Sequence, residues 1–250
     1  MLDRALYRKI VVVSPHLDDG VFSCGDLLVA HPGSMVVTVM VGKPPTPSPA
    51  ACQGSIDSSC HGKWSNEQTG FAEWDTASGF PSGDDVVGRR REEDRSALQI
   101  LGATPIWLDL CDSQYQHSPT IEEIAAILEE TFERLQPSAV FFPFGLFHSD
   151  HVLTHKACLE LVWRHRAWDW FAYEDAIYRA FSDDLVNQRR AWLETLGITA
   201  APAGDSGYPA SDAKRRAVNC YQSQLRALAV HYRSGHDDVF NPERYWRIVR

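Results

Sequence analysis

Short, uninterrupted apolar runs recur along the chain, and each is followed by a longer segment whose apolar residues return at helical spacing. The runs predict strands near 9–14, 35–41, 104–110 and 139–143, and the segments after them predict helices near 21–31, 88–101, 121–135 and 151–166. Uninterrupted β-branched runs are typical of strands that are buried on both faces of a parallel sheet. The alternation therefore predicts an α/β fold, a Rossmann-like three-layer α/β/α arrangement with a mostly parallel sheet.

Two segments interrupt this pattern, although the length of 250 residues suits a single domain over 1–250. Residues 42–87 form a long predicted loop that is rich in proline at its start and in aromatic residues later, which favours a partly ordered flap beside a site. Residues 181–210 predict a surface excursion with a short helix near 185–196. A last helix is expected from about 211 to 233.

Candidate chemistry follows two of the predicted strands directly. Segment 14–19 reads SPHLDD after the first strand, and segment 147–151 reads FHSDH after the strand at 139–143. Ligands in open α/β sheets bind outside the carboxyl ends of the strands. We therefore expect three histidines and three aspartates to approach one crevice.

Imidazole nitrogens together with a carboxylate oxygen are ligands that suit zinc, and three protein ligands leave a position for water. Here the set is His16, Asp19 and His151, with Asp18 available to remove a proton from that water. The alternative for each segment alone is structural: Asp19 as a helix N-cap, and the two histidines as a surface or capping pair. The position of both segments after strands favours the metal site.

These residues resemble the PIG-L/LmbE-like zinc-dependent N-deacetylases, whose motifs have the forms Pro/Ala-His-x-Asp-Asp and His-x-Asp-His. Further family features are an Arg-x-x-Glu motif with Ala and Leu-Gly at helical spacing, an aspartate after the next strand, and a closing helix. Their counterparts here are Arg90, Glu93, Ala97, Leu101, Gly102, Asp112, Lys214, Ala217 and segment 221–224. The residues of several motifs most resemble those of the branch that includes deacetylases of antibiotic glycosides.

The resemblance implies zinc at His16, Asp19 and His151, with Asp18 as the general base. It also implies that His148 lies near the developing oxyanion. Zinc is the default cofactor, and another divalent metal such as iron(II) remains an alternative. The implied activity is removal of an N-acyl group, most simply acetyl, from an amino sugar in a glycoside or glycoconjugate.

Three further residues receive implied roles. Asp150 would orient a histidine from behind the metal, and Arg90 and Asp112 would contact the sugar or its substituent. For Arg90 and Glu93 an i,i+3 ion pair on a solvated helix face is an equal alternative. Some family members carry a carbonyl-polarising tyrosine where this chain has Leu146, so an assisting phenol would have to come from elsewhere.

Other functions stay open as alternatives: an amidase that acts on a sugar–thiol conjugate, or a sugar- or nucleotide-binding module with a non-catalytic metal site. The first predicted strand is not followed by a Gly-x-Gly-x-x-Gly turn, which disfavours the binding module. The net charge of −9 gives no electrostatic case for nucleic acid or anionic membranes as partners.

Cellular location and cysteine chemistry follow from the same sequence. No apolar run is long enough to cross a bilayer, and the first residues do not resemble a signal peptide, so we expect a cytoplasmic protein with a small-molecule substrate. Six cysteines contain no Cys-x-x-Cys pair. Cys52 and Cys60 share the long loop and could pair, but a cytosolic setting disfavours a stable disulfide.

Overall fold

A computed structural model describes residues 7–43, 73–81, 85–115, 118–182, 184–205, 209–231 and 236–250. Cys52, Cys60 and most of the expected flap at 42–87 lie outside these ranges. The described strands are β1 Ile10–Ser14, β2 Met35–Met40, β3 Thr104–Leu110, β4 Ala139–Pro143, β5 Asp169–Tyr173, β6 Thr199–Asp205 and β7 Arg244–Val249. The described α-helices are α1 Asp19–Ala30, α2 Glu73–Ala77, α3 Val86–Leu101, α4 Ile121–Leu135, α5 Ser149–Arg164, α6 Asp184–Thr195, α7 Asp212–Val218 and α8 Gln222–His231.

The strands form one seven-stranded sheet in the order β3-β2-β1-β4-β5-β7-β6. Strands β1 to β5 run parallel, whereas β7 is antiparallel to both β5 and β6. The chain leaves β1 towards β2 and β3 on one side and later returns to build β4 and β5 on the other. The carboxyl ends of β1 and β4 therefore flank the point where the strand order reverses, which is where α/β proteins bind ligands.

Helices cover both faces of the sheet, as the strand pattern requires. Val11 and Val13 of β1 point into a core shared with α4, α5 and α6, whereas Ile10 and Val12 point into a second core shared with α1, α3, α7 and α8. Successive strand residues face opposite sides, so one apolar run fills both cores. The expectation of a three-layer α/β fold with a mostly parallel sheet is confirmed.

The sequence predicts helix ends accurately where the capping residues are favourable. Helix α4 has the predicted bounds: the Thr120 hydroxyl accepts the N–H of Glu123, and the Glu123 carboxylate accepts the N–H of Thr120. Helix α3 ends at Gly102, whose φ of 68° is the left-handed conformation that glycine adopts at little cost. No described helix is long and apolar enough to cross a membrane.

Two expectations about the C-terminal third are wrong. The single helix expected at 211–233 is interrupted, because α7 ends at Val218 and α8 begins at Gln222. The segment at 199–205, expected within a surface excursion, is the edge strand β6, and it pairs with β7, which the pattern did not predict. The helix near 185–196 does form, as α6, and it buries Leu193 completely.

Candidate metal centre and active site

The predicted site residues converge at the carboxyl ends of β1 and β4. Six of the eight predicted residues border a cavity of about 260 Å³, and Asp150 and His151 lie outside its lining. Its lining includes His16, Asp18, Asp19, Arg90, Asp112, His148, and also Trp74, Ser113, Gln114, Tyr115, Ile177, Tyr178, Gln224 and Leu228. Sequence reasoning thus found the residues at one end of the cavity and missed most of its walls.

The first motif is a tight turn between β1 and α1. The Ser14 hydroxyl donates to the carbonyl of His16 at 2.5 Å and accepts the N–H of Gly20 at 2.7 Å. A Cβ on Gly20 would lie 3.1–3.2 Å from Val36 and Ser14, closer than ordinary contacts. Glycine at this position therefore lets the turn close against the sheet and fixes the two aspartates at the start of α1.

Three potential ligands meet beside this turn. Oδ2 of Asp19 lies 3.0 Å from Nδ1 of His16 and 3.1 Å from Nε2 of His151. The donor atoms of the three residues all lie within 4.8 Å of one another. Within the described chain, Nε2 of His151 has no hydrogen-bond partner although it is buried. An unpaired nitrogen that faces a carboxylate oxygen fits a shared cation, and two imidazoles with one carboxylate suit zinc.

Each histidine of this set has a carboxylate behind it. Nε2 of His16 lies 3.0 Å from Oδ2 of Asp150, and Nδ1 of His151 lies 2.6 Å from Oδ1 of Asp175. The Ser113 hydroxyl also donates to Asp150, at 2.9 Å. Carboxylates in this position fix the tautomer and the orientation of metal-binding imidazoles.

A second set of potential ligands consists of His16, His148 and Asp150, whose donor atoms also lie within 4.8 Å of one another. Oδ2 of Asp150, however, already accepts hydrogen bonds from Ser113 and His16. The first set is the better metal site, because it leaves the nitrogen of His151 without another partner.

Charges in the site are strongly coupled. Burial alone would lower the pKa of His16, but the carboxylates of Asp112, Asp150 and Asp19 raise it well above 6.5. Burial likewise opposes the positive charge on His151, yet Asp19 and Asp175 raise its pKa to about 9. The clustered carboxylates thus give the site a strong attraction for positive charge, which a proton or a metal ion can supply.

Asp18 occupies the N-cap position of α1, but its side chain makes no capping hydrogen bond. Burial and the neighbouring carboxylate of Asp19 raise its pKa to about 7, although His16 and His151 act in the opposite direction. The alternative of Asp19 as the helix N-cap is therefore wrong, because Asp18 holds that position. The carboxylate of Asp19 lies between two histidines, and Asp18 borders the cavity.

His148 caps the N-terminus of α5 with its ring. Nδ1 accepts the N–H of Asp150 at 3.2 Å, so the neutral ring carries its proton on Nε2. Burial and the positive charges of His16 and His151 lower its pKa to about 4. His148 is consequently a neutral hydrogen-bond donor that lines the cavity.

Arg90 is 7 % exposed and does not pair with Glu93. Its guanidinium lies 2.9 Å from Asp75, donates to Ser78 at 3.0 Å and lies over the ring of Phe80. The alternative of a solvated i,i+3 ion pair is therefore wrong. Arg90 lines the cavity, as its predicted role requires.

Glu93 has a separate structural task. Its two carboxylate oxygens accept the N–H and the hydroxyl of Ser223 at 2.9 and 2.6 Å. These bonds hold the start of α8, which carries Gln224 and Leu228 into the cavity wall.

Asp112 also lines the cavity, 3.7 Å from Nε2 of His16. Its carboxylate accepts the backbone and side-chain N–H groups of Gln114 at 2.9 and 3.0 Å, and burial raises its pKa. Nδ1 of the buried His155 lies 2.9 Å from the carbonyl oxygen of Pro143, and burial lowers the pKa of this histidine to about 3.

Asp75 and Tyr178 belong to the site without a role assigned from the sequence, whereas the sequence predicts segment 173–175 as part of the pocket lining, with a cap as the alternative for Asp175. Asp175 follows β5, whose end adjoins that of β4, so a third strand end was the available signal. The ring of Tyr178, in the short 3-10 helix Tyr178–Ala180 after β5, packs edge-on 4.9 Å from the ring of His151 and places a phenol in the cavity wall. Asp75, on α2, accepts the Tyr115 hydroxyl at 3.0 Å, and no local pattern pointed to it.

Several known proteins share this architecture. A deacetylase for the pseudoaglycone of the antibiotic A40926, Dbv21, is 26% identical, with a TM-score of 0.69 over 99% of this chain and 98% of that one. The zinc-inhibited form of the teicoplanin deacetylase Orf2 is 22% identical, with a TM-score of 0.68 over 97% and 98%. GalB from Pseudomonas putida, a 4-carboxy-2-hydroxymuconate hydratase, is 17% identical, with a TM-score of 0.54 over 97% of each chain.

The hydratase demonstrates that this fold alone does not define one reaction. A search of curated proteins found no match. The family model described as GlcNAc-PI de-N-acetylase, by contrast, matches residues 11–162, which include both metal-site motifs and Arg90. This match spans more than half of the chain, and the chain belongs to the GlcNAc-PI de-N-acetylase (PIG-L) family.

Proposed function

We propose that the protein is a zinc-dependent hydrolase that removes the acetyl group from the nitrogen of an amino sugar within a glycoside. Membership of the de-N-acetylase family makes deacetylation the class of reaction. The observation that carries the proposal is the meeting of His16, Asp19 and His151 next to Asp18 at one end of a cavity.

The metal would be held by His16, Asp19 and His151. When bound, zinc supplies a Lewis acid that polarises a carbonyl and lowers the pKa of water. The same ligands also suit iron(II), so metal content is part of the test. Asp150 and Asp175 would keep the two imidazoles in the tautomers that leave a lone pair for the metal.

Asp18 is the base in this proposal. A base is most effective when its pKa lies near the working pH, and in the metal-free protein burial and the charge of Asp19 raise the pKa of Asp18 to about 7. It would take one proton from the attacking water while the water oxygen forms a bond to the amide carbon. The second proton of the water stays on the new carboxylic acid until that acid ionises.

His148 would stabilise the negative charge that develops on the amide oxygen, because its neutral ring offers an N–H on Nε2. When the carbon–nitrogen bond breaks, the departing amine needs a proton. His148 holds no spare proton at neutral pH, since its pKa is about 4. Asp18 would therefore return the proton that it took from water.

The cavity offers both polar and aromatic contacts for a sugar. Arg90 lines the cavity, where its guanidinium can donate to a substrate oxygen. Asp112 can accept a hydroxyl, and the rings of Trp74 and Tyr178 supply flat apolar walls. Because this chain and the A40926 pseudoaglycone deacetylase match almost end to end, we extend the proposal to a glycoside of the antibiotic type.

The test is amine release from a panel of N-acetylglucosamine glycosides by metal-free protein, before and after one equivalent of zinc is added. A thiol-linked glycoside and an antibiotic glycoside belong in the panel, because an amidase on a sugar–thiol conjugate would use the same residues. Zinc should restore activity to the wild type and not to His16→Ala. Tight zinc binding with no amine release from any member would overturn the proposed substrate class and keep the metal site.

Asp18→Asn separates an enzyme from a binding module. We expect the variant to retain zinc and to lose about 10²- to 10⁴-fold in turnover, the usual contribution of a general base. Asp109→Asn is the matched control, because the Asp109 side chain is 89% exposed and lies outside the cavity lining. Full turnover in Asp18→Asn would refute its role as the base.

A further inference from the structure

Asp175 is the carboxylate behind His151, and it follows β5 by two residues. The side chain is completely buried. Its Oδ1 lies 2.6 Å from Nδ1 of His151, and its Oδ2 accepts the N–H of Leu146 at 3.0 Å. Both oxygens therefore have a partner, and both partners belong to the segment that follows β4.

The side chain does not act as a helix cap. The short 3-10 helix Tyr178–Ala180 follows, with Ile177 at its N-cap position, and the backbone carbonyl of Asp175 accepts the N–H of Arg179. The carboxylate instead points back to the end of β4. Burial of a carboxylate is unfavourable without strong hydrogen-bond partners, so a buried Asp175 lowers stability unless such partners are present.

The hydrogen bond to His151 defines which ring nitrogen is free. A carboxylate can only accept, so Nδ1 of His151 carries a proton, and in the neutral ring Nε2 has the lone pair that a metal ion needs. Nε2 is the atom that lies 3.1 Å from Oδ2 of Asp19 and has no hydrogen-bond partner in the described chain. The orientation of this ligand thus depends on a residue 24 positions away in sequence.

The second bond acts on the loop that carries His148. Leu146 lies between β4 and His148, and its N–H is held by the same carboxylate. One buried side chain therefore joins the end of β5 to a metal ligand and to the segment that positions the residue near the oxyanion.

We infer that Asp175 is a positioning residue of the metal centre, which orients His151 for the metal and holds the loop before His148. This inference rests on the metal site of the proposed function but not on the identity of the substrate. Asparagine tests it sharply, because one amide oxygen can accept only one of the two N–H groups. The amide NH₂ would then face the other donor.

The experiment measures zinc affinity of the full chain by competition with a chromophoric chelator. Asp175→Asn should bind zinc about 10- to 100-fold more weakly than the wild type, with one ion per chain at saturation. The control is Asp238→Asn: Asp238 also accepts a backbone N–H near the cavity, that of Ile177 at 2.8 Å, but contacts no histidine of the metal site. Its zinc affinity should stay within twofold of the wild type.

An affinity of Asp175→Asn within twofold of the wild type would overturn the inference. If His151→Ala binds zinc as tightly as the wild type, the metal site and the inference are both overturned. Zinc binding that depends on Asp175 without any amine release would overturn only the proposed substrate class.

A second measurement needs no variant. In zinc-loaded protein with ¹⁵N-labelled histidine, the proton of His151 should be found on Nδ1, at the low field expected of a short hydrogen bond to a carboxylate. A proton on Nε2, with Nδ1 bound to zinc, would refute the assigned orientation even if Asp175→Asn failed to fold.

Discussion

Replacing Asp94 by asparagine should make the free energy of unfolding fall less with rising pH than it does in the wild type. Asp94 lies on α3 and is fully buried. Its carboxylate accepts the indole N–H of Trp107 at 2.8 Å and the hydroxyl of Tyr221 at 2.7 Å. Burial nevertheless outweighs both hydrogen bonds and raises its pKa to about 7.

The magnitude follows from linkage. A raised pKa means that the folded protein holds a proton that the unfolded chain, with a value of 3.8, has released. Stability from this group is therefore fully present below pH 4 and is lost as the pH rises to 7. The difference between 3.8 and about 7 corresponds to about 4 kcal/mol. Asparagine does not titrate, so the variant escapes this loss.

The assay is urea unfolding of metal-free wild type and Asp94→Asn at several values between pH 4 and 8. The free energy of unfolding of the variant, minus that of the wild type, should increase by about 4 kcal/mol across this range. Any pH-independent destabilisation by the new amide is the same at every pH and therefore does not contribute to this increase. The control Asp109→Asn, with an exposed side chain, should give a flat difference. A flat or falling difference for Asp94→Asn would refute the reasoning.

Two further changes test contacts that support the cavity wall. Glu93→Ala removes both hydrogen bonds to Ser223 at the start of α8, so it should lower the free energy of unfolding by about 1 kcal/mol and raise KM, while the zinc affinity stays constant. Thermal unfolding and steady-state kinetics measure these effects. An unchanged KM would show that α8 keeps its position without these hydrogen bonds. Lys214→Met leaves the buried Glu243 without its charged partner at 2.6 Å, so it should lower the free energy of unfolding by about 3–5 kcal/mol in urea unfolding; a loss below about 1 kcal/mol would contradict this role of the ion pair.

The metal ligands could be predicted from the sequence because each lies a few residues after a strand that is easily recognised from its sequence. β1 and β4 are uninterrupted apolar runs, and the pairing of Val11 with Val140 makes them neighbours. Two local motifs, one after each strand, were therefore enough to bring His16 and His151 together. The roles of the individual residues stay predictions, but their proximity is a property of the parallel sheet.

The contacts of Arg90 and Glu93 could not be predicted in the same way. Local spacing suggested that these two residues pair with each other, whereas each has a partner on another element. Glu93 binds Ser223, 130 residues later, and Arg90 binds Asp75 on the short helix α2. Such contacts depend on how helices pack on one face of the sheet, which neither hydrophobic period nor motif spacing encodes.

The backbone around the site gives the buried carboxylates a second reason to be present. Phe147 and Ile177 both have positive φ, 58° and 74°, a conformation that costs residues with a Cβ about 1–3 kcal/mol. Asp175 holds the N–H of Leu146, the residue before Phe147, and Asp238 holds the N–H of Ile177 itself. Charge-assisted bonds of this kind contribute about 1.5–3 kcal/mol each, enough to offset the strain. The two loops can therefore keep a strained course beside the cavity, and a local sequence pattern cannot predict that course because its supports lie on other elements.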